Sequence, residues 1–586
     1  MKRFFVIWCT LLLLCTPTIS AKVIVQKEAH NFASKFFQLS PSARANNEVN
    51  FSWDSNALNP NTRSSTDDPA FYVFTRNGGK GFIIVSGEDT TYPILGYSLD
   101  EPIGDVNKLP ENISSWLFQL TDAINDIRAR NLSPSQEIKS MWESPAMGNI
   151  ILQHETALWN QDAPYNKYAP LDEGKRSYAG CGPAAIAIVM RYHKWPQEGN
   201  GYTESYVTET KKIPVDARNL NHPYHWENMP LKFNQSTILS QIDEIATLIA
   251  DIGCAFKADY AKEGTGTYTN LTALCEKFGY NSQMYKLYKE DYKSDSWEHI
   301  LQKELNANRP VLYSAFTEES GHLFVLDGYT DNSYFHVNWG WGGHCNGYYR
   351  ISLLSPTEEQ LYSRNHSIIL NFEPNKGPIG EPKDWIKFVK SGIQMPETEF
   401  KENTVYYISK VSFGNCSAID FTGAFYGAHT DKNGLIKEIV INNLASWTIP
   451  AGSSIYYSDV PFVIYEPIEI GDKIRFLYVA ESTGSVELIK PSGDNVCWEI
   501  PLTDEYSIEE TTSFAYDKSK GMITLETKKG VKATLINQQL VPITQGMTQE
   551  GNTITIKTKA LKPGQYVIRL QKQGEKKDIL FEIKSL

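Results

Sequence analysis

Tyr178-Ala179-Gly180-Cys181-Gly182-Pro183 joins a turn of small residues to a segment with helical patterning. Pro183 suits the first turn of a helix, where a missing N–H leaves no hydrogen bond unmade. The apolar residues that follow recur at i, i+3, i+4 and i+7: Ala185, Ile188, Val189 and Tyr192. We therefore predict a helix that starts at Cys181, packs one face into a core and ends before Pro196.

This position has a chemical consequence for Cys181. The N-terminus of a helix favours negative charge, so it shifts a thiol toward the thiolate, which attacks carbonyl carbons. The small residues before the cysteine leave room for a substrate backbone beside the sulfur. A buried structural cysteine is the more common reading of a single cysteine. The rest of the chain must therefore decide between the two.

A histidine and an asparagine downstream supply groups that could serve this thiol. His322 follows Gly321 at the start of an apolar strand, and Asn338 lies at the end of the next strand, before Trp339. We expect the amide oxygen of Asn338 to accept the Nδ1–H of His322 and to aim Nε2 at the sulfur, with Trp339 covering the bond. The alternatives are a packed core histidine and a tight loop with core tryptophans.

A glutamine upstream completes the set. Gln161 lies in Trp159-Asn160-Gln161-Asp162, before the cysteine turn. A side-chain N–H beside the backbone N–H of Cys181 would form an oxyanion hole. Taken alone, this glutamine could equally be a surface residue.

The order Gln, Cys, His, Asn-Trp follows the logic of a papain-like thiol peptidase, and the chain resembles the streptopain family of bacterial cysteine peptidases. The resemblance covers about residues 25 to 372. The segments that carry it are Gly180-Cys181 with Ile188 to Pro196, Gly321-His322 to Asp327-Gly328, His336-Val337-Asn338-Trp339-Gly340-Trp341-Gly342-Gly343, Gly81 to Glu88, and Pro93 to Ser98.

The resemblance implies a secreted zymogen that acts on protein or peptide substrates and is inhibited by its own propeptide. It implies no cofactor and no metal. The roles it assigns are nucleophile for Cys181, general base and acid for His322, orientation for Asn338, shielding for Trp339, carbonyl polarisation for Gln161 and substrate binding for Gly321.

The predicted fold class is α+β, with a two-lobed papain-like catalytic domain between other units. A small α+β propeptide precedes it, and two immunoglobulin-like β-sandwich modules follow it because short alternating strands dominate after residue 373. The predicted boundaries are 1–21 for a signal peptide, 22–145 for the propeptide, 146–372 for the peptidase domain, and 385–502 and 510–586 for the sandwiches.

The leader and the charge bound the compartment and the partners. Lys2 and Arg3 precede an apolar run too short to span a bilayer, and Thr18 to Ala21 offers a cleavage site. Leu14 is bulky for a lipoprotein signal, which disfavours lipidation at Cys15. The net charge of −12 is spread along the chain, which argues against nucleic-acid partners. We expect a secreted, cell-surface or periplasmic bacterial protein without a membrane span, and a candidate virulence factor.

Several alternatives stay open. The same dyad occurs in transglutaminase-like or amidase-like proteins, and a binding module with an inactive catalytic half is conceivable. A metal-binding protein could use Cys181, His322, His336 and His344. The last module resembles C-terminal sorting domains, although a generic immunoglobulin-like module fits equally. Six cysteines follow the leader and permit one or two disulfides; packing is the preferred role for Cys345.

Overall fold

The computed structural model describes residues 22–39, 48–58, 68–76, 79–130, 133–316, 321–351, 366–377, 385–442, 444, 446–502, 513–517, 520–527, 530–537, 542–543, 546–572 and 575–583. The predicted signal peptide, with Cys15, lies outside these residues. Among them are seven α-helices: Gln26–Gln38, Glu111–Arg130, Gln136–Glu143, Cys181–His193, Leu239–Ala255, Leu271–Phe278 and Ser294–Asn306.

One antiparallel sheet of 11 strands runs through the propeptide and the peptidase region. The propeptide strands pair in the order Val49–Asp54, Phe71–Arg76, Phe82–Ser86, Ile94–Ser98. The sheet continues through Gly347–Tyr349, Phe335–Asn338, Gly321–Thr330, Val311–Phe316, Ser367–Leu370 and Tyr285–Tyr288, while Ile150–Gln153 also pairs with Gly321–Thr330. The expected α+β class is confirmed, but the propeptide and the peptidase region share a sheet.

The strand that begins at Gly321 separates two hydrophobic cores. Successive strand side chains point to opposite faces. Leu323 and Val325 therefore join the core beneath the helices Cys181–His193 and Leu239–Ala255. Phe324 and Leu326 face the other way, into the core that holds apolar residues of the helix Glu111–Arg130. This strand therefore packs against a core on each face, and this packing fixes the backbone near His322.

The strand pairing between the propeptide and the peptidase region includes a close approach of Gly96 to the Tyr349 ring. Ile94–Ser98 pairs antiparallel with Gly347–Tyr349, with Gly96 opposite Tyr349. A Cβ atom at position 96 would lie 2.5 Å from Cδ1 of the Tyr349 ring, so only glycine fits there. Tyr97 stacks on Tyr348 beside it, with ring centroids 5.4 Å apart.

Residues after 385 form paired sheets, as predicted for two sandwiches. The first module pairs Ser454–Val463, Val405–Asn415, Ile386–Gln394 and Lys490–Pro491 in one sheet, and Ile436–Ile441, Phe421–Thr430, Lys473–Ala480, Val486–Leu488, Ser446–Ile449 and Glu499–Pro501 in the other. The last module pairs Ser513–Asp517, Met522–Glu526, Thr553–Lys557 and Met547–Glu550, and separately Pro542–Ile543, Lys532–Asn537, Gly564–Lys572 and Glu575–Ile583.

The last part of the propeptide, between Ser133 and Pro145, contains the helix Gln136–Glu143. Trp142 anchors this helix by packing on Phe32 and donating its indole N–H to the Thr91 carbonyl at 3.1 Å. No disulfide joins any of the six cysteines in the described ranges. None of the helices described there is long and apolar enough to cross a membrane.

Candidate active site

Cys181 is the first residue of its helix, as the sequence predicted. Gly180 precedes it with φ +96°, and a Cβ there would lie 3.0 Å from Thr265 Cγ2, so the turn requires glycine. The first N–H groups of a helix have no acceptor within the helix, and they supply a partial positive charge. The sulfur accepts a hydrogen bond from the Leu323 N–H at 3.5 Å and faces the Gly321 carbonyl at 3.9 Å. The strand that carries His322 therefore lies directly against the thiol.

His322 is buried, with 8% of its surface exposed. Its Nε2 lies 3.3 Å from Ser115 Oγ, a residue of the propeptide helix. Burial lowers the pKa of His322 from 6.5 to about 4. In this precursor Nε2 therefore meets the propeptide helix, and its direction toward the sulfur in the mature enzyme stays a prediction. A neutral ring is favoured in this arrangement.

The predicted hydrogen bond between Asn338 and His322 is not among the contacts of the described residues. Asn338 is fully buried, and its Nδ2 donates to Thr156 Oγ1 and to the Ala157 carbonyl, each at 2.9 Å. Its Oδ1 accepts the Gly340 N–H at 3.1 Å. The orienting role expected for Asn338 is therefore corrected: its amide ties the end of its strand to the stretch before Gln161.

Trp339 consequently has no Asn–His bond to cover. Its ring packs in the core against Phe324, with centroids 4.8 Å apart, and edge-on to Tyr349 at 5.3 Å. Trp116 of the propeptide helix lies on the same aromatic cluster, 6.3 Å from Trp339. Trp339 thus supports the strand beside His322 from below, and the propeptide shares that support.

Gln161, the predicted oxyanion-hole residue, lines the cavity that contains Cys181. It is 5% exposed and lines the same cavity as Cys181, His322 and Gly321. Within the described part of the chain its Nε2 is buried without a hydrogen-bond partner. Its carbonyl accepts the Ala179 N–H at 2.8 Å, which fixes it to the turn before Cys181. The predicted grouping of Gln161, Cys181 and His322 is therefore present.

The cavity has a volume of about 830 Å³ and is lined in part by the propeptide. Lys108, Leu109 and Pro110 form one side, immediately before the helix Glu111–Arg130. Tyr178, Trp341 and other residues of the peptidase region form the opposite side; the rest are Asn160, Glu263, Gly264, Thr265, Gly266 and His344. A substrate would meet the propeptide before it reached the sulfur.

Sequence reasoning missed the contributions of Ser115 and Trp116. Both lie on the helix Glu111–Arg130, and a serine on such a helix gives no sequence signal of its target. The alternative metal site is not supported, because no group of three metal-ligating side chains occurs in the described residues. His336 instead pairs with Asp327, with Nδ1 2.5 Å from Oδ1. Cys345 is fully buried and donates to the Ile103 carbonyl at 3.3 Å, and burial raises its pKa.

Comparison with known proteins agrees with this site. A model of the Peptidase C10 family matches residues 159–349, and a model described as Spi protease inhibitor matches residues 21–124. Streptopain of Streptococcus pyogenes is 30% identical over 358 residues, which cover 57% of this chain and 86% of streptopain. The chain belongs to the streptopain-like Peptidase C10 family. It is a cysteine-type peptidase with an N-terminal inhibitor domain, the arrangement of a zymogen.

Other relatives differ in extent. The thiol protease/hemagglutinin PrtT of Porphyromonas gingivalis is 28% identical over 401 residues, which are 64% of this chain but only 45% of PrtT. A solved structure of prointerpain A from Prevotella intermedia is 23% identical, with a TM-score of 0.44, and covers 56% of this chain and 100% of that one. The match to streptopain leaves the C-terminal modules of this chain without a counterpart in that alignment.

Proposed function

We propose that this protein is an exported bacterial endopeptidase that is made as an inactive precursor and cleaves protein or peptide substrates through a Cys181–His322 dyad. The observation that carries the proposal is the shared cavity of Cys181, His322 and Gln161, closed by Lys108–Pro110 and by Ser115. Each of these groups has a distinct place in thiol-peptidase chemistry. The compartment follows from the leader in the sequence.

The reaction begins when the propeptide leaves and His322 turns Nε2 toward the sulfur. The thiol proton passes to His322, and the thiolate attacks the substrate carbonyl carbon. The oxyanion that forms accepts hydrogen bonds from Gln161 Nε2 and the Cys181 N–H. His322 then protonates the leaving amine, and a thioester remains on Cys181. Water, activated by His322, hydrolyses the thioester and restores the thiol.

Activation requires a cut between the propeptide and the peptidase domain. We place it between the helix Gln136–Glu143 and the strand Ile150–Gln153. Ser144 and Ala146 are exposed in this interval. From Asn149 onward the chain is held by Asp331, whose Oδ1 accepts the Asn149 N–H at 2.9 Å. A cut before this anchor lets the four propeptide strands leave the shared sheet while the strand Ile150–Gln153 stays paired with Gly321–Thr330.

The test is processing of the purified full-length precursor, followed by sequencing of the new N-terminus and by a casein assay. The wild-type chain is expected to convert to a form that starts between residues 144 and 150 and to cleave casein. The Cys181→Ala variant is expected to remain full length and inactive, because no other group in the cavity can form the thioester. A thiol-directed epoxide should block conversion of the wild-type chain in the same way.

The matched control is Cys497→Ala, which removes an exposed cysteine of the first sandwich. This variant is expected to process and cleave casein at the wild-type rate. Casein cleavage by Cys181→Ala would overturn the proposal. Transfer of amines to casein without hydrolysis would favour the transglutaminase-like alternative.

A further inference from the structure

The NWGWGG turn is fastened to the stretch that carries Gln161. Asn338 donates to Thr156 Oγ1 and to the Ala157 carbonyl, and its Oδ1 holds the Gly340 N–H. Three residues later in the stretch, the Trp159 carbonyl accepts the Gly342 N–H at 2.8 Å. The turn therefore contacts the chain at several points just before Gln161. The hydrogen bonds of the Asn338 side chain within the described residues do not include one to His322.

The hydrogen bonds of Asn338 continue through Thr156 into the core. Thr156 Oγ1 donates to Asp327 Oδ2, and Asp327 Oδ1 lies 2.5 Å from Nδ1 of His336. Asn338, Thr156 and Asp327 are all at least 93% buried. Buried hydrogen bonds with all partners satisfied hold a backbone in a single arrangement. The Thr156–Ala157 backbone is thus fixed against the strand that carries His322.

Gln161 is the residue that depends on this arrangement. Its Nε2 is buried and has no hydrogen-bond partner among the described residues, so no side-chain contact of its own directs it into the cavity. Its own backbone is held by two hydrogen bonds among the described residues: the Asn160 Oδ1 accepts the Gln161 N–H at 2.7 Å, and the Gln161 carbonyl accepts the Ala179 N–H. An unpaired buried donor lowers the stability of the fold. A function such as binding an oxyanion explains why it is present.

We propose that Asn338 is a positioning residue for Gln161, and thereby for the oxyanion hole, rather than for His322. The inference rests on the proposed function, because it assigns Asn338 to one part of that reaction. Through Thr156 and Ala157, Asn338 sets the path of the chain to Gln161. Its loss lets Gln161 Nε2 drift from the position of the oxyanion. Drift of about 1 Å in a catalytic group is enough to lower the rate substantially.

The test is a double-mutant cycle of Asn338→Ala and Gln161→Ala. All variants are matured by immobilised wild-type enzyme, which is then removed, and their active sites are counted by epoxide titration. Gln161→Ala is expected to lower kcat about 100-fold, as for loss of one oxyanion donor. Asn338→Ala is expected to lower kcat about 10-fold or more with a smaller change in KM. In the Gln161→Ala background, Asn338→Ala is expected to add less than about threefold, because its target is already gone.

A second readout separates Gln161 from His322. The pH profile of Cys181 alkylation reports the Cys181–His322 pair and does not require an oxyanion hole. We expect the profile of Asn338→Ala to match that of the wild type. A shifted profile, or a full multiplicative loss in the double mutant, would overturn the proposal and restore the orienting role. An unchanged kcat in Asn338→Ala would overturn it as well.

Two further variants keep the test decisive. Thr156→Val removes the hydroxyl that links Asn338 to Asp327, and it should reproduce the kcat loss and the non-additivity with Gln161→Ala if Asn338→Ala fails to fold. Asn415→Ala removes a fully buried asparagine with a similar bonding pattern, two carbonyl acceptors and one N–H donor, in the first sandwich. It should leave kcat per titrated site unchanged. An unaltered kcat in Gln161→Ala would contradict the oxyanion part of the proposed function instead.

Discussion

The peptidase region carries two seams, one with the propeptide and one with the first sandwich, and they are built differently. The propeptide seam consists of strand pairing at Gly96 and Tyr349 with stacked aromatic rings around it. The sandwich seam consists of buried polar groups: Asp291 accepts the Lys390 N–H at 2.6 Å through one oxygen and the Ser492 hydroxyl at 2.5 Å through the other.

The sandwich seam has further hydrogen bonds, some of them at its exposed edge. Asp494 of the sandwich accepts the Lys293 N–H at 2.9 Å and the Ser296 hydroxyl at 2.7 Å. Backbone groups join in, since the Lys286 N–H donates to the Cys416 carbonyl at 2.9 Å. A buried carboxylate that loses its donors is strongly destabilising. We therefore expect the sandwich seam, which depends on polar contacts of the buried Asp291, to be harder to open than the propeptide seam, which consists mainly of strand pairing and aromatic packing.

The largest effect is expected when the sandwich seam is broken at Asp291. Asp291→Ala should lower the free energy of unfolding by about 2 to 4 kcal/mol, because the Lys390 N–H and the Ser492 hydroxyl lose their acceptor in a buried site. Thermal and denaturant unfolding of the full chain measure this. The control is Asp295→Ala, an exposed aspartate on the neighbouring helix, which should stay within about 0.5 kcal/mol of wild type. Equal stability of the two variants would mean that the seam is not a structural joint.

The next largest effect is expected at the propeptide seam. Trp116→Ala in a separate propeptide of residues 22–145 should weaken its inhibition of the mature enzyme by about 2 kcal/mol, roughly thirtyfold in inhibition constant. The reason is loss of the ring that meets Tyr349 edge-on at 5.0 Å and lies near Trp339. Phe118→Ala is the control, since Phe118 is 39% exposed on the same helix. Similar inhibition constants for both variants would show that the aromatic cluster does not hold the propeptide.

The sequence predicted the elements of both seams but not the seams themselves. The helix Cys181–His193 follows from local apolar periodicity and from Pro196, and the structure confirms it. The union of two sheets could not be predicted, because pairing of Gly96 with Tyr349 joins segments with no local signal for each other.

The site shows the same division between local and distant information. Cys181, His322 and Gln161 could be chosen from residue chemistry and order along the chain. The partner of Asn338 could not, because Thr156 lies 182 residues away and a buried amide can satisfy many acceptors. The nearer candidate, His322, was predicted from its place on the preceding strand. The Asn338 side chain instead bonds Thr156, Ala157 and Gly340.

The smallest predicted effect concerns pH at the propeptide seam. His322 has its pKa lowered to about 4 by burial in the complex, against 6.5 for an ordinary histidine. The complex therefore binds fewer protons than the separated enzyme between these values. Its stability is complete above about pH 6.5 and decreases as the pH falls toward 4. His344, whose pKa burial also lowers, contributes in the same direction.

We expect the dissociation constant of the 22–145 propeptide to rise by roughly fivefold between pH 6.5 and 5.5, since protonation of the released His322 goes from half to nearly complete over this interval. Calorimetry with the matured Cys181→Ala enzyme measures binding without proteolysis. His322→Gln in that background should lose most of the dependence, and His344→Asn should lose less, because Ser115 meets His322 and not His344. If the pH dependence is unchanged in His322→Gln, another group takes up the proton. The contact between Ser115 and His322 then does not account for the pH dependence of inhibition. Acidification would then weaken propeptide binding by protonating a group other than His322.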